Sequence, residues 1–411
     1  MSKKEEDLPV KEIKSLIKNV VGDDFEIIKK DWKYLTDPGE NFGSLIFAIK
    51  LEIMKNNKNE ILHIVAKLPP PSLYLIKLFN SPFSFKKELV FYRDLTPAFI
   101  QLQIDNGIKN PEDSWIGPKY YGGRCGLVDD VFDTQASIVL ENLNYSGFKM
   151  IDRLTGLTKL QTEYAVKKLA KLHALAIAMR EQKPKIFNNL VLPALENVAN
   201  EHAKECLMDM IKKSVMDLGN INEAKPYMDK VQWTIDNAPK IEEKMVHDKK
   251  WYTFVHNDFW VNNMMFKFGN NDEILDMKII DFQLGFYDYG VKDLIFFLMS
   301  SPNWEITGDI FDEMINIYYN EFIMLLKTFN VYTQDYTHEK FLQLVDQCGP
   351  SKLAQCLMMT QVIKSIPGSA PKIETIENKE SFLKIGGGQI YHDKLIQLLY
   401  IFKKRNWLLS K

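Results

Sequence analysis

The chain has 411 residues, and 52 Lys and Arg against 54 Asp and Glu give it a formal net charge of −2. This balance argues against a protein built mainly to bind nucleic acid, and 46% hydrophobic with 26% charged residues excludes disorder as the dominant state. Its four cysteines lie far apart without a CxxC pair, so neither a disulfide scaffold nor a zinc–thiolate site is expected. The length predicts two or three domains, or one large bilobal unit.

The N-terminus carries charges of both signs and no apolar segment, which argues against a secretory signal. No apolar run approaches the roughly 18 residues that a membrane-spanning helix needs. We therefore expect a soluble, cytoplasmic protein.

The first third of the chain has the pattern of one antiparallel sheet with one long helix. Three prolines after Lys67 end the third strand-like run, and Ser81-Pro82 is a helix start signal. The predicted elements are, in chain order, a short helix at 9–21, strands at 25–35, 45–54 and 61–67, a helix at about 83–102, and strands at 119–125 and 136–143.

The remainder of the chain has a helical pattern that is interrupted once. A strong helical segment covers 158–180, and a β-rich island follows at 251–286. From Asp293 onward the chain is again predicted to be helical. The sequence thus indicates a small β-rich lobe followed by a larger helical lobe.

The β island contains the polar residues best suited to chemistry. It reads TFVHNDFWVNNMMFKF, a turn, and EILDMKIIDFQLG, so Asp258 and Asn263 follow one strand and Asp281 ends another. Carboxylate and amide oxygens are ligands that Mg²⁺ accepts together with substrate phosphates, and a second carboxylate can orient a hydroxyl nucleophile. Taken singly, these residues would more simply cap turns; the complete HxDxxxxN pattern with the later Asp favours phosphoryl transfer.

A lysine and a glutamate in the first lobe predict a buried ion pair. Lys67 ends a strand that is apolar on both faces, and Glu88 shares a helical face with Phe91, Tyr92 and Leu95. Because a lone buried charge is costly, each residue is expected to need the other. Such a pair would let Lys67 reach nucleotide phosphates, whereas the alternative is a lysine that extends to the strand edge.

Several other residues allow two interpretations. The turn at 37–44 (DPGENFGS) has glycines and amides suited to covering phosphates, but an ordinary hairpin loop would look the same. His173 fits a core histidine better than a catalytic one, and His256 fits a structural loop residue better than a base. Asp293 is either a carboxylate at a helix N-terminus or a brace for the loop that carries Asp258.

Together these motifs resemble a known family. HNDFWVNN and IIDFQ are similar to the catalytic and metal-binding loops of the aminoglycoside phosphotransferase and choline kinase branch of the protein-kinase-like fold. Within it, the chain most resembles the insect ecdysteroid kinase-like (CHK kinase-like) family, through VHNDFWVNNMMF, DFQ in place of DFG, FKKELVFY, AKLPP and IVLENLNYSGF. The resemblance covers roughly residues 25–400. It implies a bilobal α+β fold. The first lobe, at 1–140, is small and consists of an antiparallel sheet with one long helix. A hinge at 141–145 joins it to a larger, mostly helical lobe at 146–411.

The resemblance also implies a role for each matching residue. Asp258 would act as the catalytic base, Asn263 and Asp281 would hold Mg²⁺, and Lys67 would contact the phosphates of ATP with the support of Glu88. The hinge that offers backbone groups to adenine would consist of Glu141, Asn142 and Leu143. The phosphate-covering loop would consist of Gly39, Glu40, Asn41, Phe42, Gly43 and Ser44.

The sequence departs from the wider superfamily at two positions. Asn257 stands where glycine is usual, and asparagine tolerates unusual backbone angles. Gln283 replaces the glycine of DFG, which reduces the backbone freedom after Asp281. The segment from Asp281 to Asp293 is too short for a peptide-docking loop, so a protein kinase is not expected.

Three functions stay open on the sequence alone. The first is ATP-dependent phosphorylation of a small-molecule hydroxyl group, which by resemblance belongs to an ecdysteroid or related steroid alcohol. The second is a choline or ethanolamine kinase, which needs an aromatic and acidic cage; the candidate aromatics include Trp251, Trp260 and Trp304. The third is a nucleotide- or ligand-binding protein without turnover. The acceptor pocket is expected between the β island and segments at about 190–250 and 300–400.

Overall fold

The first lobe is built on a five-stranded antiparallel sheet with the order β1–β2–β3–β5–β4. A computed structural model describes residues 8–35, 43–128, 131–198, 200–303, 308–366 and 373–410. The strands are β1 (Phe25–Tyr34), β2 (Leu45–Lys55), β3 (Lys58–Leu68), β4 (Tyr120–Arg124) and β5 (Ser137–Glu141). Each predicted strand of this region is present, and β3 lies at the centre of the sheet.

One face of this sheet is covered by helix α1 (Ile13–Val21). Its buried residues Ile13, Ile17 and Val21 pack in one apolar cluster with side chains of β1, β2 and β3. The helix approaches β4 so closely that a side chain at Gly122 would collide with the carbonyl oxygen of Leu16. The helix predicted at 9–21 is present, but it begins later, at Ile13.

The long helix of the first lobe contains an interruption that was not predicted. Helices α3 (Ser81–Val90) and α4 (Thr96–Asp105) are joined by a π-helical turn at Phe91–Leu95. Pro97 accounts for this turn, because proline has no amide hydrogen and its ring crowds the carbonyl group one turn earlier. A short helix, α2 (Leu73–Leu78), precedes α3 and was also missed; Ser72 caps it by accepting a hydrogen bond from the amide of Leu75.

The second lobe is mostly helical and has one large apolar core. Its longest helix, α5, begins with a capping box between Thr158 and Gln161, and its centre is buried against α11 and β7. None of the helices in the described ranges has the length and apolar character needed to cross a lipid bilayer. The helices are α5 (Lys159–Gln182), α6 (Pro184–Ile186), α7 (Leu192–Ala194), α8 (Glu201–Gly219), α9 (Met228–Glu243), α10 (Val291–Ser300), α11 (Gly308–Thr328), α12 (His338–Cys348), α13 (Leu353–Ile363), α14 (Glu380–Leu383) and α15 (Gln389–Lys404).

The predicted β island forms two small antiparallel sheets within this lobe. One contains β6 (Phe148–Lys149), β8 (Met264–Phe268) and β9 (Ile274–Ile279), and the other pairs β7 (Tyr252–Val255) with β10 (Phe286–Tyr289). The loop after β7 and the loop after β9 consequently lie side by side.

Helix α2 links the two lobes directly. The Ser72 hydroxyl donates to the carbonyl oxygen of Ile376 at 3.0 Å, and the Asn200 side chain donates to the carbonyl oxygens of Lys77 and Leu78 at 3.0 and 2.9 Å. The bilobal, kinase-like α+β fold expected from the sequence is confirmed.

Candidate active site

Three charged side chains from distant parts of the chain meet in the cleft. Nζ of Lys67, on β3, lies 2.6 Å from Oε2 of Glu88, on α3, and 2.9 Å from Oδ1 of Asp281, after β9. Lys67 and Glu88 are only 5% and 1% exposed. Burial alone would lower the pKa of Lys67, but the carboxylates of Asp281 and Glu88 raise it above its ordinary value. Lys67 therefore stays protonated, and Glu88 supplies the counter-charge that the sequence analysis predicted.

The loop after β7 holds Asp258 and Asn263 in one hydrogen-bonded unit. Nδ2 of Asn263 donates to the carbonyl oxygen and to Oδ2 of Asp258, each at 2.8 Å. Asn263 is itself fixed by its backbone, which bonds to Trp260 and Ile280. Burial, followed by the nearby charge of Asp281, raises the pKa of Asp258 to about 7. A carboxylate with a pKa near neutrality is suited to accept a proton from a hydroxyl group.

Asp293 holds this loop from behind. Its Oδ2 accepts the amide hydrogen of His256 at 2.6 Å, and its Oδ1 accepts that of Asn257 at 2.8 Å. On its other side it lies 3.3 Å from Nε2 of His173, whose Nδ1 lies 2.6 Å from the Tyr318 hydroxyl. Of the two interpretations given by the sequence, these contacts favour the brace, although Asp293 also lies in the first turn of α10.

The loop that carries Asp258 has an unusual backbone conformation, and a histidine connects it to the loop that carries Asp281. Asn257 has φ of +66°, a left-handed conformation that asparagine adopts more readily than most residues. Nε2 of His256 lies 3.1 Å from the carbonyl oxygen of Ile280, just before Asp281. The histidine thus contacts backbone, as expected of a structural loop residue, and it links the loop of Asp258 to the residue before Asp281.

Aromatic packing fixes the residue after Asp281. The ring of Phe282 stacks on Phe91, with 3.6 Å between centroids and 10° between planes. Tyr92 and Phe254 meet the same ring edge-on. Because Phe91 and Tyr92 belong to the π-helical turn, the interrupted helix of the first lobe holds the second-lobe loop that carries Asp281.

Asn263 and Asp281 fit a magnesium ion. The amide nitrogen of Asn263 is used by Asp258, and within the described ranges no group donates to its Oδ1, which leaves this oxygen for a cation. Asp281 adds a carboxylate that is partly exposed to the cleft. Mg²⁺ takes one or two protein oxygens together with waters and phosphate oxygens, and Asn263 and Asp281 supply protein oxygens of this kind.

The structure describes the whole of the predicted hinge but only part of the predicted phosphate-covering loop. The amides of Glu141 and Asn142 already donate to the carbonyl oxygens of Lys119 and His63. The Leu143 amide has no acceptor in the described part of the chain, so of the three it is the one available to a ligand. Gly43 and the three hinge residues line the cleft, and Ser44 is buried. Gly39, Glu40, Asn41 and Phe42 lie outside the described residues.

A cavity of about 820 Å³ runs from these groups into the second lobe. Lys67, Glu88, Asp258, Asn263 and Asp281 line one end, which we call the catalytic end. The other end, which we call the acceptor end, is enclosed mainly by apolar side chains of α8 and α13 and of the α2–α3 region, among them Phe83, Met210, Ile211, Met358 and Met359.

The position of this cavity agrees only partly with the sequence analysis. Helices α8 and α13 fall within the two segments expected to form the acceptor pocket, but the contribution of α2 and α3 was missed. Trp260 lines the cavity, whereas Trp251 packs against Phe322 and Tyr336 in the core of the second lobe. Trp304 lies outside the described residues.

A model of the ecdysteroid kinase-like family matches residues 38–331. The chain belongs to this family. Membership confirms the family that the motifs indicated, and it confirms an enzyme of the class that phosphorylates small-molecule hydroxyl groups. No curated protein sequence matches the chain.

Several solved structures are similar to this ecdysteroid kinase-like protein at low sequence identity. Choline kinase from Cryptosporidium parvum Iowa II is 11% identical over 92% of this chain and 91% of that chain, with a TM-score of 0.45. Plasmodium vivax ethanolamine kinase is 11% identical over 92% and 84%, with a TM-score of 0.40. Spectinomycin phosphotransferase APH(9)-Ia, in complex with ADP and spectinomycin, is 13% identical over 80% and 93%, with a TM-score of 0.38.

One supporting residue of the ecdysteroid kinase-like site had no sequence signal. Nε2 of Gln355, near the start of α13, donates to the carbonyl oxygen of Asn257 at 3.0 Å and also lines the cavity. It links the acceptor wall to the catalytic loop. A single glutamine about a hundred residues away in sequence matches no motif, so only the fold reveals this contact.

Proposed function

We propose that this protein transfers the γ-phosphoryl group of ATP to a hydroxyl group of an ecdysteroid or a related steroid alcohol. One observation carries the proposal: the apolar cavity is continuous with the group formed by Lys67, Glu88, Asp258 and Asp281. A large apolar alcohol would displace water from this surface, which favours its binding. Its hydroxyl group would then reach Asp258.

The proposed mechanism is in-line displacement at the γ-phosphorus. Asp258 orients the acceptor hydroxyl group and takes its proton while the acceptor oxygen bonds to phosphorus and the bond to the β-phosphate oxygen breaks, releasing ADP. Lys67, kept in place by Glu88, binds the phosphate tail. Mg²⁺ held by Asn263 and Asp281 would neutralise charge on the phosphates. His256 and Asp293 keep the loop of Asp258 in position.

The binding mode of ATP belongs to the same proposal. Adenine would contact the hinge at 141–145 between the lobes at 1–140 and 146–411, with the Leu143 amide as the available donor. The loop Gly39–Ser44 would cover the phosphates. A cytoplasmic location stays a prediction of the sequence.

The alternative of a choline or ethanolamine kinase is less well supported by the cavity. A quaternary ammonium group needs aromatic faces and a compensating negative charge. Aromatic side chains are present, but among the described lining residues Asp and Glu occur only as Glu88, Glu141, Asp258 and Asp281. All four lie at the catalytic end or the hinge, so the acceptor end offers no counter-charge for an amine.

Transfer of labelled phosphate from ATP to a panel of ecdysteroids, choline, ethanolamine and aminoglycosides tests the proposal. Labelled ecdysteroid is expected with the wild-type protein and not with Asp258→Asn. Labelled choline or ethanolamine as the preferred product would contradict it in favour of the alternative. Binding of Mg-ATP without any transfer would instead indicate a protein without turnover.

A further inference from the structure

The acceptor end of the cavity contains a buried lysine with no acidic partner. Lys87 precedes Glu88 in α3, lines the cavity and is only 9% exposed. Its Nζ donates to the carbonyl oxygen of Glu196 at 2.9 Å and lies 5.1 Å from the centre of the Phe83 ring. Within the described ranges no carboxylate forms an ion pair with it, in contrast to the neighbouring Lys67–Glu88 pair.

The ammonium group of Lys87 therefore has bonding capacity left for a ligand. It carries three donor hydrogens, and the Glu196 carbonyl accepts one of them. Burial lowers its pKa to about 8, so most molecules are still protonated at pH 7. A buried charge without a counter-charge costs free energy, and an oxygen group brought by a ligand recovers part of that cost.

The surroundings of Lys87 favour the same kind of ligand. The lining residues contributed by α8 and α13 include no Asp or Glu in the part of the chain that the structure describes. The other cationic group here is Arg153, whose Nη1 donates to the carbonyl oxygens of Ile363 and Ser365. The acceptor end is thus apolar with a positive charge, which attracts oxygen groups and repels amines.

We propose that Lys87 binds an oxygen group of the acceptor, most strongly an anionic one, and so selects oxygen-bearing apolar alcohols over amino alcohols. The proposal rests on the proposed function only in naming this part of the cavity as the acceptor site. Ligand binding at Lys87 can be measured without phosphate transfer, so the two proposals can fail separately.

The test compares two fluorescent probes with the same aromatic body. One is 8-anilinonaphthalene-1-sulfonate, which carries an anionic oxygen group, and the other is N-phenyl-1-naphthylamine, which lacks it. The protein variants are Lys87→Met, Lys87→Arg and, as a matched control on the same helix, the exposed Lys86→Met. We expect Lys87→Met to weaken binding of the sulfonate about tenfold while the uncharged probe binds as before. Lys87→Arg should restore most of the loss, and Lys86→Met should change neither probe.

Two outcomes would overturn the inference. If sulfonate binding is the same in Lys87→Met and the wild type, Lys87 does not recognise anionic oxygen. If both probes weaken equally, Lys87 serves only to hold the Glu196 segment in place. Failure of the wild type to phosphorylate any ecdysteroid, with the sulfonate still dependent on Lys87, would reject the proposed function and support the lysine as a ligand-binding residue.

Discussion

The two ends of the cavity differ in the kind of side chain that lines them. At the catalytic end, Lys67 has two carboxylate partners and Asp258 is bonded to Asn263, so each group has a defined place. At the acceptor end, flexible side chains such as Met358 and Met359 form an apolar surface with few polar contacts. Chemistry thus depends on fixed polar distances, whereas selectivity depends on the shape left between packed helices.

The largest expected effect of a substitution is at the catalytic end. Asp258→Asn should lower phosphate transfer by about 10²–10⁴-fold, because it removes the proton acceptor and leaves the fold intact. Mg-ATP should still raise the melting temperature, since the phosphate and metal ligands are unchanged. The exposed Asp113→Asn serves as control and should match the wild type in both measurements. Full activity of Asp258→Asn would remove this residue from the mechanism.

Asp281→Asn should separate metal binding from proton transfer. Besides losing phosphate transfer, this variant should lose most of the thermal stabilisation by Mg-ATP, because a metal ligand and a partner of Lys67 are both changed. Thermal shifts with and without Mg-ATP, recorded beside Asp258→Asn, provide the measurement. Equal affinity for Mg-ATP in Asp281→Asn and the wild type would contradict the metal assignment.

Asp293 should affect the rate through the loop that it holds. Asp293→Asn weakens the acceptor of the His256 and Asn257 amides, so we expect kcat to fall about 10–100-fold with little change in the KM for ATP. Steady-state kinetics with ATP and the acceptor varied in turn would check this split. An unchanged kcat together with a lower melting temperature would limit Asp293 to a role in stability.

Changes at the acceptor end should alter acceptor binding alone. Met359→Ala removes apolar surface from the cavity wall and should raise the KM for a steroid acceptor several-fold without changing the KM for ATP. Met208→Ala, an exposed position on α8 away from the cavity lining, is the matched control. Parallel changes in both KM values would show that the two ends are not separable in this way.

The smallest effect concerns a buried lysine outside the cavity. Lys394, on α15, is 5% exposed. Burial lowers the pKa of Lys394 from 10.5 to about 7, and the charge of Lys364 adds to this effect. The thiol of Cys356 is a further titratable neighbour. Between these two values the unfolded chain binds one more proton, so stability rises with pH from about 7 towards 10.5. Lys394→Met should therefore raise the melting temperature by a few degrees at pH 7, and the gain should shrink as the pH approaches 10.5.

Phosphate transfer should be unchanged in Lys394→Met, in contrast to substitutions at Lys67. Thermal unfolding followed across this pH range provides the measurement, with the exposed Lys404→Met as control. A pH-independent gain in Lys394→Met would mean that the amine is not the source of the instability.

The sequence was most informative where chemistry restricts the residue type. The Lys67–Glu88 pair followed from the cost of a lone buried charge, and Asp258, Asn263 and Asp281 followed from the ligands that phosphoryl transfer needs. The strands, three of the helices and the helical character of the second lobe followed from hydrophobic periodicity and from proline and glycine positions. The family resemblance then joined these local patterns into one fold.

The acceptor end could not be predicted to the same degree. Phe83, Met210 and Met358 come from segments far apart in sequence, and apolar side chains in helices look alike whether they face a core or a cavity. For the same reason the sequence could not show that Trp251, a candidate for an aromatic cage, belongs to the core of the second lobe. Lys87 was overlooked because its missing partner becomes visible only when its neighbours in space are known.

Helix α3 contributes side chains to both ends of the cavity, and this couples the binding of the two substrates. Because Phe83 and Glu88 belong to the same helix, α3, a displacement of α3 that accompanies nucleotide binding also moves a wall of the acceptor end. The two substrates are then thermodynamically linked, and the factor by which ATP alters the affinity for the acceptor equals the factor by which the acceptor alters the affinity for ATP.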